Sequence, residues 1–435
     1  MMNYRIPLFV LLGLTLCLLP IHGEDNPYSG GEGTEENPYQ ISTAEDWFRL
    51  SGTPGHWSQH FALEGDIDFE NAALHPIGSD QQGKAFTGTF DGKKHTVRNG
   101  QITVGDKSSA GLFGTLGKGG VLKNISVESF TVTGKMNVGG LVGFAGNGST
   151  IDACSSAADV SGLQNVGGLA GRQEMATIKN SSASGKVTGS SIATGGFLGL
   201  SGGSGWASGG TISRCRATGA VTGAQVVGGF VGSVQGGTIS HCSASGTVTG
   251  KRTVGGFAGG SDDTLTSCFA TGAVKNEGPI SGGFVGSSSG TISECYSTGN
   301  VSGNADTGGL AGKISGRVFN CYALGNAESA VNYSGALAAR MLEQSALENC
   351  YAVGTVKGKA FSGGLVGKKS EGSTIQNCYW QQSDADKADE SARSKEALTG
   401  PQDENTFQGW DFEKTWSADE DQSVNKGYPY LKSTR

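Results

Sequence analysis

Residues 228–250 read GGFVGSVQGGTISHCSASGTVTG, and this stretch decides the fold. A diglycine block opens it, the β-branched segment Thr238-Ile239-Ser240 follows, and Cys242, Ala244, Gly246 and Val248 then alternate with Ser243, Ser245 and Thr247. A period of two, with small or apolar residues on one side and hydroxyl residues on the other, belongs to a strand with one buried face. The alternation recurs at Cys215, Ala217, Gly219 and Val221, and again at Cys295, Ser297, Gly299 and Val301. Helix-length apolar periodicity is almost absent, so the unit predicts about three short strands separated by glycine turns.

Working outward, the five-residue block recurs ten times: AGLFG at Ala110, GGLVG at Gly139, GGLAG at Gly167, GGFLG at Gly195, GGFVG at Gly228, GGFAG at Gly255, GGFVG at Gly282, GGLAG at Gly308, SGALA at Ser334 and GGLVG at Gly363. The spacings are 29, 28, 28, 33, 27, 27, 26, 26 and 29 residues, and the long one coincides with a Gly/Ser-rich insertion around Trp206. One such unit cannot bury a core, but stacked units can. The expected fold is all-β, a right-handed parallel β-helix (β-solenoid) of about ten coils with N- and C-terminal capping segments. At the strand spacing of about 4.8 Å the rod is on the order of 45 Å long.

The GG[LF]xG block, the TIxxC segment and the xGxVTG strand resemble the GLUG repeat of bacterial secreted and cell-surface proteins, which some IgA-cleaving metallopeptidases also carry. The flanks are similar to those of secreted proteins with this repeat, at Gly33–Trp47, Asp66–Asp68 and Phe86–Val97, and in FQGWDFEKTW and GYPYL near the far end. The resemblance implies an exported, cell-surface or adhesin-like protein. The HExxH pattern of the peptidase relatives is missing, because Trp57 follows His56 in the only His-x3-His spacing, His56 to His60.

Composition agrees with a repeat array. The 435 residues include 75 Gly and 9 Pro with no three-residue glycine period, which excludes collagen. The net charge of −7 divides into −7 over residues 1–109, +5 over 110–378 and −5 over 379–435. A nearly neutral middle between acidic ends argues against nucleic acid as a partner. Residues 1–23 read as a signal peptide, with Arg5 before the apolar run Leu8–Leu19, then Pro20, and cleavage expected after Gly23. Leu16 precedes Cys17 where a lipobox needs a small residue. No other stretch approaches the roughly 20 apolar residues of a membrane span. The chain therefore divides into the signal peptide 1–23, an N-terminal cap with irregular first coils 24–108, the repeats 109–380 and a C-terminal cap 381–435. Ser42 and Glu45 form a capping-box pattern for a helix carrying Trp47, Phe48 and Leu50. Ser391–Leu398 reads as a second short helix, and Phe407, Trp410, Phe412 and Trp416 suit plugging of the last coil.

Eight cysteines, Cys154, Cys215, Cys242, Cys268, Cys295, Cys321, Cys350 and Cys378, occupy one column of the repeat, with Ile125 and Ser181 filling the other two units. Their spacings exclude a zinc site. An interior ladder of thiols is the preferred reading, and disulfides between neighbouring coils are the alternative. The position after this column points outward. Its last five members are Phe269, Tyr296, Tyr322, Tyr351 and Tyr379, a row of rings able to bind a glycan or protein partner or, alternatively, to brace neighbouring strands beneath the C-terminal segment.

No catalytic constellation emerges, and neither a metal nor a cofactor is expected. Asp384, Asp386 and Asp389 miss the calcium-loop pattern, since Ala388 stands at a ligand position. Asp66 with Asp68 and Asp262 with Asp263 are candidate carboxylate pairs for glycan cleavage, and solvated loops fit them better. The expectation is a secreted or surface-exposed, non-catalytic, adhesin-like protein binding a glycan or protein along the side of the rod. The alternatives are a polysaccharide-active enzyme or lectin-like module, and a structural spacer.

Overall fold

The computed structural model describes residues 26–78, 84–105, 109–146, 148–203, 209–359, 361–382, 390–400 and 406–434. The expected signal peptide, Cys17, Trp206 and the trio Asp384, Asp386 and Asp389 lie outside these residues. The chain is a parallel β-solenoid. In the coil that begins at Val226, five short strands follow one another: Val226–Gly228, Val231–Val234, Thr238–Ser240, Ser243–Ala244 and Val248–Gly250. The sequence suggested about three. The glycine block proves to be a bend with a strand on either side, and Gly246 breaks the alternating segment into two.

Equivalent strands of successive coils pair in parallel and in register, Gly228 with Gly255, Val231 with Ala258, Ile239 with Leu265, Ala244 with Ala270 and Val248 with Val274. Two faces carry ten strands each, and the face built by the Thr-Ile-Ser segments carries thirteen. Register corrects one repeat boundary: Gly308 pairs with Gly335 and Ala311 with Ala338, so the ninth block is GALAA from Gly335, not SGALA from Ser334. The spacings on either side become 27 and 28 residues, and the array is more regular than it reads.

Side chains at one register position form columns inside the rod. Phe197, Phe230, Phe257 and Phe284 stack with centroids 4.7, 4.8 and 4.9 Å apart and planes within 8° of parallel. All four are fully buried, as are Ile212, Ile239, Leu265 and Ile292 of the neighbouring column. Burying one such side chain stabilises the fold by about 1.5–3 kcal/mol, and every coil supplies several. Glycine lets the coil be this narrow. A Cβ on Gly299 would stand 2.0 Å from the carbonyl oxygen of Gly272 one coil earlier, and one on Gly228 would stand 2.0 Å from that of Val231.

The glycines of the repeat do not supply its left-handed corner. That corner is the residue before the cysteine column, and Asn124, Ala153, Asn180, Arg214, His241, Ser267, Glu294, Asn320, Asn349 and Asn377 all sit there at φ between 50° and 54°.

The N-terminal segment is part of the rod. Strands Tyr39–Ile41, His60–Leu63 and Thr89–Asp91 are the first three rungs of the thirteen-strand face. Helix Ala44–Gly52 closes this end by placing Trp47 against Phe69, Phe90 and Phe113. Its capping box is Thr43 with Asp46, one residue beyond the expected Ser42 and Glu45. The Asp46 carboxylate accepts from Ser29 Oγ and from the amides of Ser42 and Thr43, a set that Glu45, on the exposed side, does not make.

At the far end the expectation needs two corrections. The short helix is Lys395–Thr399, capped by Ser394, while Ala392–Arg393 is a strand beside Trp380–Gln381. The plug is Trp380, not the later aromatic group. In the inward column Ala323 pairs with Ala352 and Ala352 with Trp380, so an indole replaces a methyl one rung before the terminal strand Ala392–Arg393 and fills the interior over Gly364.

Candidate functional site

The outward column next to the cysteines lies where the alternation put it. Arg216 pairs with Ser243, Ser243 with Phe269, Phe269 with Tyr296, Tyr296 with Tyr322, Tyr322 with Tyr351 and Tyr351 with Tyr379. Phe269, Tyr296, Tyr322 and Tyr351 form one continuous stack, with centroids 4.9, 4.6 and 5.1 Å apart and planes within 12° of parallel. The stack is not an open platform of five rings. Tyr322, Tyr351 and Tyr379 are buried, because residues 406–431 lie along the side of the rod and pack Trp410, Trp416, Phe407 and Tyr428 on them. Tyr351 donates to the carbonyl oxygen of Pro429 at 2.6 Å and accepts from Asn425 Nδ2 at 2.8 Å. Trp410 Nε1 donates to the carbonyl oxygen of Asn377, and Tyr428 donates to Gln381 Oε1. Burial pushes the Tyr351 hydroxyl well above the usual phenol range.

Asp419 explains why the covering segment holds this shape. Its carboxylate accepts from the amides of Val424, Asn425 and Gly427, and these bonds keep its pKa low in spite of desolvation. Phe269 and Tyr296 are each half-buried; Tyr296 packs against the edge of the cover, and burial raises its hydroxyl to about 12. Stacking occupies both faces of the Tyr296 ring. The free face of this stack is therefore the one that Phe269 turns toward Ser243, and ring edges are what the rest of the column offers a ligand.

A second feature lies on the same side, past the glycine bend. Lys275, Ser302, Glu328 and Lys357 form an outward column in register. With Asn300, Asn326 and Thr355 they line a groove of about 320 Å³ across four coils. Asn300 Oδ1 accepts from the Asn326 amide, and Asn326 Oδ1 accepts from the amide and hydroxyl of Thr355. Each carboxamide oxygen is thus committed to bracing the next coil, and the NH2 end is the part left for a ligand. Sequence reasoning missed this groove, although Asn300 and Asn326 just before their strands, and Lys275 and Lys357 in place of the threonine of VTG, carry its signal.

The eight cysteines are buried free thiols. Sulfurs from Cys242 to Cys321 each accept from the backbone amide of the cysteine one coil before: the amides of Cys215, Cys242, Cys268 and Cys295 donate to the sulfurs of Cys242, Cys268, Cys295 and Cys321, each at 3.4 Å. Each thiol donates to the carbonyl two residues earlier, as Cys242 does to Ser240 at 3.2 Å. Ser181 makes the same pair of bonds, to the Lys179 carbonyl and from the Cys154 amide, which is why serine fits the column. Burial pushes the Cys154 thiol up to about 12.

The candidate carboxylate pairs hold the fold together. Asp68 accepts from the Glu70 amide and Asn99 and pairs with Arg98 at 3.0 Å, which holds it at about 2. Asp66 accepts from the Thr96 amide. Asp262 takes a hydrogen bond from Ser289, and Asp263 takes them from the amides of Gly237 and Thr264, so adjacent carboxylates brace different coils. His56 accepts from or donates to the Tyr28 hydroxyl at 2.9 Å, within a ring cluster with Tyr39 and Phe61. Among the described residues no group of three or more His, Cys, Asp or Glu is placed to hold a metal ion.

A solenoid with such columns is a repeat protein, and comparison with known proteins places the repeat. Residues 134–161, 162–188 and 223–249 match the GLUG motif, so three stretches of the solenoid carry that repeat. Halomucin of Haloquadratum walsbyi is 32% identical over 163 residues, which is 35% of this chain and 2% of halomucin. A protein of Evansella cellulosilytica, provisionally named a Gly-rich membrane protein, is 31% identical over 116 residues, covering 25% of this chain and 13% of that protein. The chain thus spans a small part of the length of either relative. Among solved structures, a candidate immunoglobulin A1 protease from Bacteroides ovatus aligns over 94% of this chain and 96% of its own, at 20% identity and a TM-score of 0.40. An IgA1 protease aligns over 64% of this chain and 21% of its own, at 18% identity and a TM-score of 0.37. Among the described residues no helix is long and apolar enough to cross a membrane.

Proposed function

We propose that this chain is an exported, surface-exposed, non-catalytic protein of the adhesin type that binds a glycan along the side of its rod. The observation that carries the reading is the polar groove across four coils, with Asn300, Asn326, Lys275 and Lys357 as donors and Glu328 as acceptor, running beside a ring stack on the same face. Sugars present closely spaced hydroxyls with apolar ring faces, and a rigid sheet holding donors, acceptors and aromatic rings at fixed spacing complements them. The names of the halomucin and Gly-rich membrane relatives fit a protein at the cell boundary. The carboxylate pairs are committed to amides, to the Ser289 hydroxyl and to Arg98, which supports binding without turnover.

A glycan array with the mature chain tests the reading, read alongside reducing-sugar release from the bound polysaccharides. Binding without sugar release is expected, with Asn326→Ala and Lys357→Ala weakening it. Release of reducing ends would establish the enzyme alternative, and silence in both assays would favour a spacer.

A further inference from the structure

The free ring face of Phe269 looks along the rod toward Ser243, and beyond Ser243 in the same column stands Arg216. Two rungs separate Phe269 from Arg216, about 9–10 Å. Ser243 between them is too small to fill the space, so the column has a slot with an aromatic wall, a guanidinium wall and a hydroxyl floor. One six-membered ring placed edge-down in it would lie about 4.5–5 Å from either wall, one rung from each, the spacing at which the column's own rings stack at 4.6–5.1 Å. The arginine end opens into a cleft of about 470 Å³ lined by Asn180, Ser182, Arg214, Arg216, His241 and Ser243.

Two arginines meet here because of the corner. Arg214 occupies the left-handed position and Arg216 the first outward position after Cys215, so the turn brings both guanidiniums to one side of the rod. One rung position shows the contrast: Lys123 pairs with Asp91 and Lys179 with Asp152 across the rungs. Among the described residues neither Arg214 nor Arg216 has a carboxylate in ion-pair reach, and both are exposed, in a protein of net charge −7.

We infer that the slot between Phe269 and Arg216 binds an acidic sugar, its ring stacked on Phe269 and its carboxylate or sulfate held by Arg216 and Arg214. Arginine pairs with such planar or tetrahedral anions through two parallel N–H donors, and an apolar sugar face stacks on an aromatic ring. The inference rests on the glycan-binding reading and narrows it to a ligand class and a place on the rod.

Titration calorimetry of the mature chain tests it with a galacturonate hexasaccharide, its fully methyl-esterified counterpart, a heparin hexasaccharide and inorganic sulfate. The expected result is binding of one acidic hexasaccharide at least about tenfold tighter than the ester or free sulfate, whichever of carboxylate and sulfate is preferred. Arg214→Ala with Arg216→Ala should weaken it by about tenfold or more. Ser243→Phe, which continues the ring stack through the slot and should leave the circular dichroism unchanged, should abolish it, while Lys118→Ala on a distant turn should not. If Ser243→Phe and the arginine pair leave acidic binding unchanged, or neutral glycans bind as well as acidic ones, the slot is wrong and glycan binding stands. If sulfate alone binds as tightly, the sugar part is wrong. If no glycan binds, this inference and the function proposed above fall together.

Discussion

The hydroxyl of Tyr351 lies 2.6 Å from the carbonyl oxygen of Pro429, joining a ring in the middle of the outward column to a residue 78 positions later. Asn425 Nδ2 reaches both atoms, at 2.8 and 3.0 Å. The side of the rod is therefore partly lined by its own C-terminal segment, and the anchor can be tested. Tyr351→Phe keeps the ring stack and removes both buried hydrogen bonds of the hydroxyl, the one to Pro429 and the one from Asn425. It should cost about 1–3 kcal/mol of stability in denaturant unfolding and speed proteolytic release of the segment beyond Leu398. Tyr351→Ala should cost about 3–5 kcal/mol. Equal proteolysis of the Phe variant and the parent would show that these bonds do not hold the segment.

Trp380 gives a second prediction. Trp380→Ala restores the alanine of the column and leaves a cavity in the last full coil, with an expected loss of about 3–5 kcal/mol at the C-terminal end. Because coils contact only their neighbours, hydrogen exchange should accelerate in residues 335–380 and stay at parental rates in the coils before Gly195. A uniform rise along the rod would contradict this picture.

The thiol ladder predicts both reactivity and pH response. Unfolded in denaturant without reductant, each chain should show eight column thiols, plus Cys17 wherever the leader is retained, and the folded chain should show almost none. Disulfides between coils would lower the denatured count by two per bridge. Burial raises Cys154 from its ordinary 9.0 to about 12. The protonated form is the one the fold favours, so its contribution is complete below pH 9 and is lost as pH rises from 9 toward 12. Cys154→Ser, which can copy the bonds of Ser181, should flatten the alkaline arm of a stability profile across that window.

The left-handed corner predicts gains. Glu294 and His241 sit at φ 51° and 53°, where a side chain other than asparagine or glycine is strained. Glu294→Asn should raise stability by about 0.5–1 kcal/mol, and Glu294→Val should lower it by at least as much. Identical melting temperatures for the three proteins would show that the corner relaxes.

Spacing alone carried the solenoid into view, since ten copies of a glycine block and one cysteine column fix which residues lie one above another. The strand count was less legible, because Gly228 and Gly246 act through carbonyl oxygens of other strands and coils that only the folded chain brings near. The corner left a partial trace, asparagine at 124, 180, 320, 349 and 377, but Arg214 and Glu294 hide it. The outward column from Phe269 to Tyr379 was readable as a column. Two things about it were not: the covering of Tyr322, Tyr351 and Tyr379 by a segment distant in sequence, and the mutual stacking that consumes the ring faces. Trp380 was passed over for the same reason, as its inward position shows only when Ala352 is known to pair with it.

One consequence of the in-register stack concerns length. Between Gly139 and Gly335 each coil presents to the next the same pattern of strands and columns that it receives from the one before. A duplication or deletion of one 26- to 29-residue unit in this span would join surfaces that already match, while Trp47 and Trp380 would still close the ends. The distance between the two ends is thus a heritable quantity that can change in steps of about 4.8 Å without redesign of any interface.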